Sequence, residues 1–161
     1  MALNAYLAIH AEKQGPIHGS VTQKGREGKI LVFAVTHGIV CPRDPASGRP
    51  TGKRIHKPFI VTKELDRSTP LLYSVLTNNE NIKDWELQLW QPSPTGVERR
   101  HFTVRLTNAN ISTIYFRMVN NRSAKAARLP EYEEVSFTYQ KIEWTWAEGG
   151  LSTADDWETP R

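Results

Sequence analysis

Apolar and polar residues alternate along much of this 161-residue chain. The clearest stretches are residues 85–90, 102–107 and 113–118, where a largely apolar set occupies every second position. A period of two places each set on one face of a β-strand, and the β-branched and aromatic side chains involved suit a pleated surface. The pattern therefore predicts a mainly β protein.

Two stretches depart from simple alternation. Residues 30–35 are apolar at every position, and the apolar parity changes between residues 134 and 146. A β-bulge could explain the change of parity, as could a strand that is buried on both faces. In a lone antiparallel domain one strand face contacts the core and the other faces water. Strands that are apolar on both faces therefore predict that another subunit covers the second face.

One segment has the pattern of a short helix, predicted over about residues 69–79. Thr69 can cap its N-terminus, and Pro70 suits the first helical position because its missing N–H is not needed there. A helix this short is marginal alone, so we expect it to dock on the sheet by its apolar face. That face contains Leu72, Val75 and Leu76.

Composition excludes several classes of protein. The net charge is +4, and acids and bases are interleaved, which favours simple solubility over an anionic partner. A single cysteine, Cys41, closes no intramolecular disulfide and builds no zinc site alone. The N-terminus lacks the basic stretch and apolar core of a secretory signal, and no apolar run approaches the ~20 residues of a membrane span. We expect synthesis in a reducing cytoplasm, with no membrane insertion.

Motifs for catalysis are missing from the sequence. It contains no Gly-Lys-Ser/Thr phosphate loop, no His-Glu-x-x-His and no Gly-x-Ser-x-Gly. The five histidines show no helical i, i+4 pair, and Cys41 is more simply a lone thiol at a strand end than a nucleophile. We therefore predict a protein that is not an enzyme, with no cofactor and no metal.

The most unusual segment is a long extended loop, predicted over about residues 41–57. Its three prolines and two glycines from residue 42 onward argue against regular structure, and a loop this long is usually functional. Three interpretations stay open: a solvated loop, a grip on nucleic-acid phosphates, or a dock on an acidic protein surface. No aromatic residue is interleaved to stack on bases, which weakens the second. Its charged residues and its histidine are Arg43, Asp44, Arg49, Lys53, Arg54, His56 and Lys57.

Three stretches carry a family resemblance. The first is Asp44 to Phe59 (Asp-Pro-x-Ser-Gly-x-Pro-x-Gly-Lys-Arg-x-His-Lys-Pro-Phe), and the second is Lys63 to Tyr73 (Lys-Glu-Leu-Asp-x-Ser-Thr-Pro-Leu-Leu-Tyr). The third is Val135 to Trp144 (Val-Ser-Phe-x-Tyr-x-Lys-Ile-x-Trp), followed by Gly149-Gly150 and Asp155-Asp156-Trp157. In this order they resemble the tube-forming Hcp family of bacterial type VI secretion systems.

The resemblance implies a compact β-barrel of two packed antiparallel sheets with one flanking helix. We expect one domain over residues 1–161, in which about 148–161 form a polar C-terminal tail that is either mobile or ordered by docking of Trp157. The family implies homohexameric rings that stack into a tube, with a sheath around it, a spike protein at its tip and small effector proteins in its lumen. Such a protein is made without a signal peptide and secreted through the type VI apparatus.

The resemblance also assigns a role to the basic loop, as the contact between stacked rings, and its charge suggests an acidic receiving surface. Candidate lumen or exposed strand positions are Arg105, Thr113 and Arg117, although the inward face is not determined by the pattern. The alternative function is a basic β-barrel binding module for nucleic acid or an acidic protein partner, without a tube. On the first interpretation, neither nucleic acid nor membrane is a partner.

Overall fold

The computed structural model describes residues 3–158 of the chain. These residues form β-strands and one α-helix, whose bounds in chain order are β1 (Asn4–Ala11), β2 (Gly15–Ile17), β3 (Ile30–Val32), β4 (Ala34–Thr36), β5 (Ile39–Val40), β6 (Ile55–His56), β7 (Phe59–Glu64), α1 (Thr69–Thr77), β8 (Ile82–Pro92), β9 (Glu98–Thr107), β10 (Asn110–Arg117), β11 (Tyr132–Thr138), β12 (Lys141–Trp146) and β13 (Leu151–Asp156). The predicted mainly β fold with one helix is confirmed.

The strands form two large antiparallel sheets. The larger has the order β13-β12-β9-β8-β1-β2, with β3 also paired to β1, and the smaller has the order β10-β11-β7-β4. The chain crosses from one sheet to the other at Phe33, whose backbone N–H donates to the Thr62 carbonyl at 3.1 Å. The two packed sheets agree with the predicted barrel, although strand pairing in the described residues does not close it into one continuous ladder.

The core lies between the facing surfaces of the two sheets. Trp85 at its centre makes edge-on contacts with Phe59 and Phe137, with ring centroids 5.1 and 5.4 Å apart. Val104 and Leu106 are buried in the same cluster, as their alternation predicted. Aromatic side chains of this size contribute a large share of the hydrophobic stabilisation of a domain.

The change of parity between residues 134 and 146 has a different cause from the two that were expected. The segment is two strands in different sheets: β11 pairs with β7 and β10, while β12 pairs with β9 and β13. Tyr139 and Gln140 connect them. The apolar parity changes because the chain passes from one sheet to the other, so neither a bulge nor a doubly buried strand is needed.

Helix α1 ends two residues earlier than predicted, at Thr77. Its N-cap is Ser68 rather than Thr69, and no side chain caps it. The Thr69 hydroxyl instead accepts the Asp66 backbone N–H at 3.1 Å. The docking face is as expected, since Leu72 and Val75 are buried and Leu76 packs against the core. No helix in the described part of the chain is long and apolar enough to cross a membrane.

The predicted polar C-terminal tail forms a β-strand over much of its length and is not a mobile segment there. After a 3-10 turn at Glu148–Gly150 the chain reverses and forms β13, which pairs with β12 from Trp146↔Leu151 to Lys141↔Asp156. Gly149 and Gly150 have φ of 78° and 64°, a conformation that glycine adopts without strain and that permits the reversal. The indole N–H of Trp157 then donates to the Tyr139 carbonyl. Residues 159–161 lie outside the described residues.

Candidate assembly surface

The basic loop folds into a narrow hairpin, named here the basic hairpin (residues 39–57). Strands β5 and β6 pair at its base, and Arg43 and Pro50 form a β-bridge farther out. The Asp44 N–H donates to the Arg49 carbonyl at 2.8 Å and closes the tip. The expected long extended loop is confirmed, because pairing is confined to β5 with β6 and to the single bridge at Pro50, and the glycines lie outside the paired positions.

The tip of the basic hairpin presents positive charge. The acidic residue of the tip, Asp44, forms hydrogen bonds within the tip. The Asp44 carboxylate accepts the Ser47 hydroxyl at 2.7 Å and the Ala46 N–H at 3.2 Å. These hydrogen bonds, that from Ser47 above all, lower the pKa of Asp44. Four cations of the hairpin are exposed: Arg43, Arg49, Lys53 and Lys57.

Two of the predicted contact residues turn inward instead. The guanidinium of Arg54 donates to both carboxylate oxygens of Asp155, at 2.5 and 3.0 Å, and to the Asp156 carbonyl at 2.9 Å. Nε2 of His56 lies 2.7 Å from Oδ2 of the same Asp155. Because Asp155 belongs to β13, these contacts fasten the base of the hairpin to the C-terminal strand.

The contacts continue inward through Tyr139. Its hydroxyl lies 2.8 Å from Nδ1 of His56 and 2.7 Å from Nε2 of His37, which stacks on Phe59 with centroids 5.0 Å apart. Burial lowers the pKa of His37, and His56 lowers it further. Burial, followed by the Asp155 charge, raises the pKa of Tyr139. We call this set the hairpin clamp: His37, Arg54, His56, Tyr139 and Asp155.

We expect Asp155→Ala to lower the free energy of unfolding by about 2–3 kcal/mol. Hydrogen bonds to charged groups contribute about 1.5–3 kcal/mol each, and this carboxylate serves both Arg54 and His56. Urea unfolding followed by tryptophan fluorescence measures the change. The control is Asp156→Ala, which removes the acceptor of a neutral amide of Gln140 at 3.1 Å and should cost about 1 kcal/mol. Equal losses in the two variants would contradict the clamp.

A line of apolar side chains remains exposed where the chain crosses between the sheets. Leu31, Phe33 and Val35 are between 39% and 49% exposed, so the second face of this segment is open to water in a single chain. A second apolar patch lies along and just after β10, with Phe116 and Met118 at alternate positions, 53% and 60% exposed, and Tyr115 on the other face of the strand, 62% exposed. Exposed apolar patches of this kind mark contact sites on protein surfaces.

The candidate lumen positions are not brought together. Arg105 lies exposed on β9 of the larger sheet, where it pairs with Glu86 at 3.1 Å. Thr113 and Arg117 lie on β10 of the smaller sheet, half-buried and exposed respectively. The outer faces of two packed sheets point away from each other, so we expect at most one of these two sets on a channel wall.

Comparison with known proteins places these features in context. The family described as type VI secretion system effector, Hcp, matches residues 6–146. The chain is 38% identical to the Major exported protein of Pseudomonas aeruginosa, over 99% of this chain and 98% of that protein. It resembles a crystal structure of an Hcp protein with a TM-score of 0.91, at 32% identity over 99% of this chain and 100% of that one. A structure of Hcp1 from E. coli EAEC 042 has a TM-score of 0.84, at 32% identity over 96% and 98% of the two chains.

Proposed function

The chain belongs to the Hcp family of type VI secretion proteins, and we propose that it is the structural subunit of an exported tube. Six copies form a ring, and rings stack into the tube. The observation that carries this proposal is the pair of exposed apolar patches that reach opposite edges of the smaller sheet.

The positions of the two patches suit a closed ring. In the smaller sheet β4 and β10 are the opposite edges. One patch continues onto β4 through Val35, and the other runs along β10 through Tyr115 and Phe116. A ring needs a heterologous contact, in which one surface of each copy meets a different surface of the next. Burial of apolar area at about 25 cal/mol per Å² supplies the driving force.

Secretion and cargo follow from the same proposal. The relative in Pseudomonas aeruginosa is named for its export, and we infer export of this chain by the type VI apparatus. The tube would lie inside the sheath, carry the spike protein at its tip and hold small effector proteins in its lumen. The basic hairpin is the proposed contact between rings, through Arg43, Arg49, Lys53 and Lys57 at its outer part.

The proposal predicts that reversing the hairpin charges separates ring formation from stacking. In the triple variant Arg43→Glu, Arg49→Glu and Lys53→Glu we expect a hexamer near six times the 18.3 kDa chain mass but reduced stacking and secretion. Arg54 is left unchanged because it holds the hairpin clamp. Light scattering after size exclusion measures the ring, electron microscopy the stacks, and export by the parent bacterium the secretion.

Phe33→Asp tests the contact within the ring, as the triple variant tests the contact between rings. It places a charge in the exposed apolar line of Leu31, Phe33 and Val35. We expect it to yield folded monomers under the same conditions. A wild-type chain that stays strictly monomeric at high protein concentration would refute the ring. Unchanged secretion by the triple variant would show that the hairpin is not the contact between rings. Binding of the monomer to nucleic acid that falls steeply with salt would favour the alternative binding module.

A further inference from the structure

The proposed stacking contact needs a receiving surface on the adjacent ring. Strand β7 runs from the base of the hairpin towards such a surface at the other end of the subunit. The hairpin joins β7 at its first residue, Phe59, and the strand ends at Glu64. Six residues of extended chain at about 3.3 Å each separate the two ends by roughly 17–20 Å. A surface at the Glu64 end therefore lies on the opposite end of the subunit from the base of the hairpin.

A pocket lies at that opposite end. It occupies about 390 Å³ between the start of β1, the segment 20–23 and the end of β7. Its walls include Glu64, Leu65 and Asp66 on one side and Tyr6 and Leu31 on another. This volume is within the usual range for pockets that bind a specific group. We call it the Glu64 pocket.

The charge of the Glu64 pocket is opposite to that of the hairpin. Glu64 is exposed, and its carboxylate forms no ion pair within residues 3–158. The ammonium of Lys63 lies 3.1 Å from the Asp66 carboxylate and 2.5 Å from the buried carboxylate of Glu133. Two carboxylates therefore face one ammonium there. Arg26, which bonds to the Tyr6 hydroxyl, is neutralised by Glu98 at 2.6 Å. The pocket thus has an excess of negative charge in a chain whose net charge is +4.

The pocket also offers apolar surface to a long cationic side chain. Val21 and Leu65 line it, and Leu31, which also belongs to the apolar line of the proposed ring contact, lies at its rim. An arginine buries its aliphatic stem on such a surface while its guanidinium reaches a carboxylate. Arg49 is exposed beside the closed tip of the hairpin, so its aliphatic stem and its guanidinium are both available for such a contact.

We propose that the Glu64 pocket receives the tip of the basic hairpin from a second copy in the adjacent ring, with Arg49 paired to Glu64. The inference rests on the proposed function and names the receiving surface that stacking requires. Each copy donates a hairpin at one end and offers a pocket at the other, so the contact is heterologous and repeats along the tube without closing.

Disulfide trapping tests the contact directly. In a Cys41→Ser background, which removes the native thiol, Arg49→Cys and Glu64→Cys are combined in one chain. Head-to-tail contacts then link successive copies, so mild oxidation should give a ladder of covalent oligomers on a non-reducing gel. Each single cysteine variant should stop at a dimer. Glu12→Cys, an exposed acid at the hairpin end of the larger sheet, replaces Glu64→Cys as the control and should give no ladder.

Charge exchange supplies the second measurement, in the parent bacterium. Glu64→Arg and Arg49→Glu should each reduce secretion severalfold while hexamers persist, and the two together should restore at least half of it. If the double variant is as defective as the single ones and no ladder forms, the pocket assignment is wrong although the hairpin contact stands. If Arg49→Glu secretes normally, the stacking role of the hairpin itself fails. Absence of hexamers from the wild type would refute the ring proposal instead.

Discussion

Replacing Lys63 by methionine is expected to lower the free energy of unfolding by about 3–5 kcal/mol. Lys63 is fully buried, and its ammonium donates to Glu133 at 2.5 Å, to the Glu64 carbonyl at 2.9 Å and to the Thr69 hydroxyl at 3.2 Å. The variant leaves Glu133 buried without its cation. Oε2 of that carboxylate already has no hydrogen-bond partner in the described structure, so the uncompensated charge has little to stabilise it.

Urea unfolding of the wild type and three variants measures this effect. The control, Glu134→Gln, changes the adjacent residue on the opposite face of β11, which is half-buried, and should stay within about 0.5 kcal/mol of the wild type. Lys63→Met combined with Glu133→Leu should recover most of the loss, because a buried pair replaced by apolar groups is often neutral. Near-wild-type stability of Lys63→Met alone would show that the pair is not buried as described.

The Lys63–Glu133 pair also connects the fold to the proposed assembly. Lys63 joins the end of β7 to the start of α1 through Thr69, and it holds Asp66 at the wall of the Glu64 pocket. A single buried ammonium therefore fixes the helix, the small sheet and the pocket in one arrangement. We infer that the pocket is rigid, which reduces the entropy cost of docking a hairpin.

Local pattern predicted the parts of the fold that depend on local geometry. Period two identified Val104 and Leu106 as core residues, and helical spacing identified Leu72 and Val75. Period two also separates Glu133 and Glu134 onto opposite faces of β11. It did not show that Glu133 faces the core, because the compensating Lys63 is 70 residues away in sequence.

The remaining features depend on contacts between distant segments. Strand β13 has a polar sequence because its side chains are half-buried or exposed, and it is held by backbone pairing to β12 rather than by burial. The clamp joins Arg54 to Asp155 across 101 positions, so charge alone suggested that Arg54 points outward. The one signal in the sequence is the motif Asp155-Asp156-Trp157, which resembles the family but does not indicate a role for these residues.

Replacing Leu72 by alanine is expected to lower the free energy of unfolding by about 2–5 kcal/mol. Leu72 is fully buried in the main hydrophobic cluster, and α1 contacts β10 of the smaller sheet. The helix has nine residues and lacks a side-chain cap, so it has little stability of its own and depends on this docking. The loss has two causes: the hydrophobic transfer of the removed atoms and the cavity that they leave.

Leu71→Ala is the matched control, because it removes the same atoms from the preceding position of the same helix. Leu71 is 38% exposed, so its loss should cost about 1 kcal/mol or less. Urea unfolding of the two variants isolates burial from helix propensity, which the substitutions change equally. If Leu72→Ala unfolds at the same urea concentration as the wild type, α1 is not docked on the sheet. If both variants lose equally, burial of Leu72 does not account for the docking of the helix.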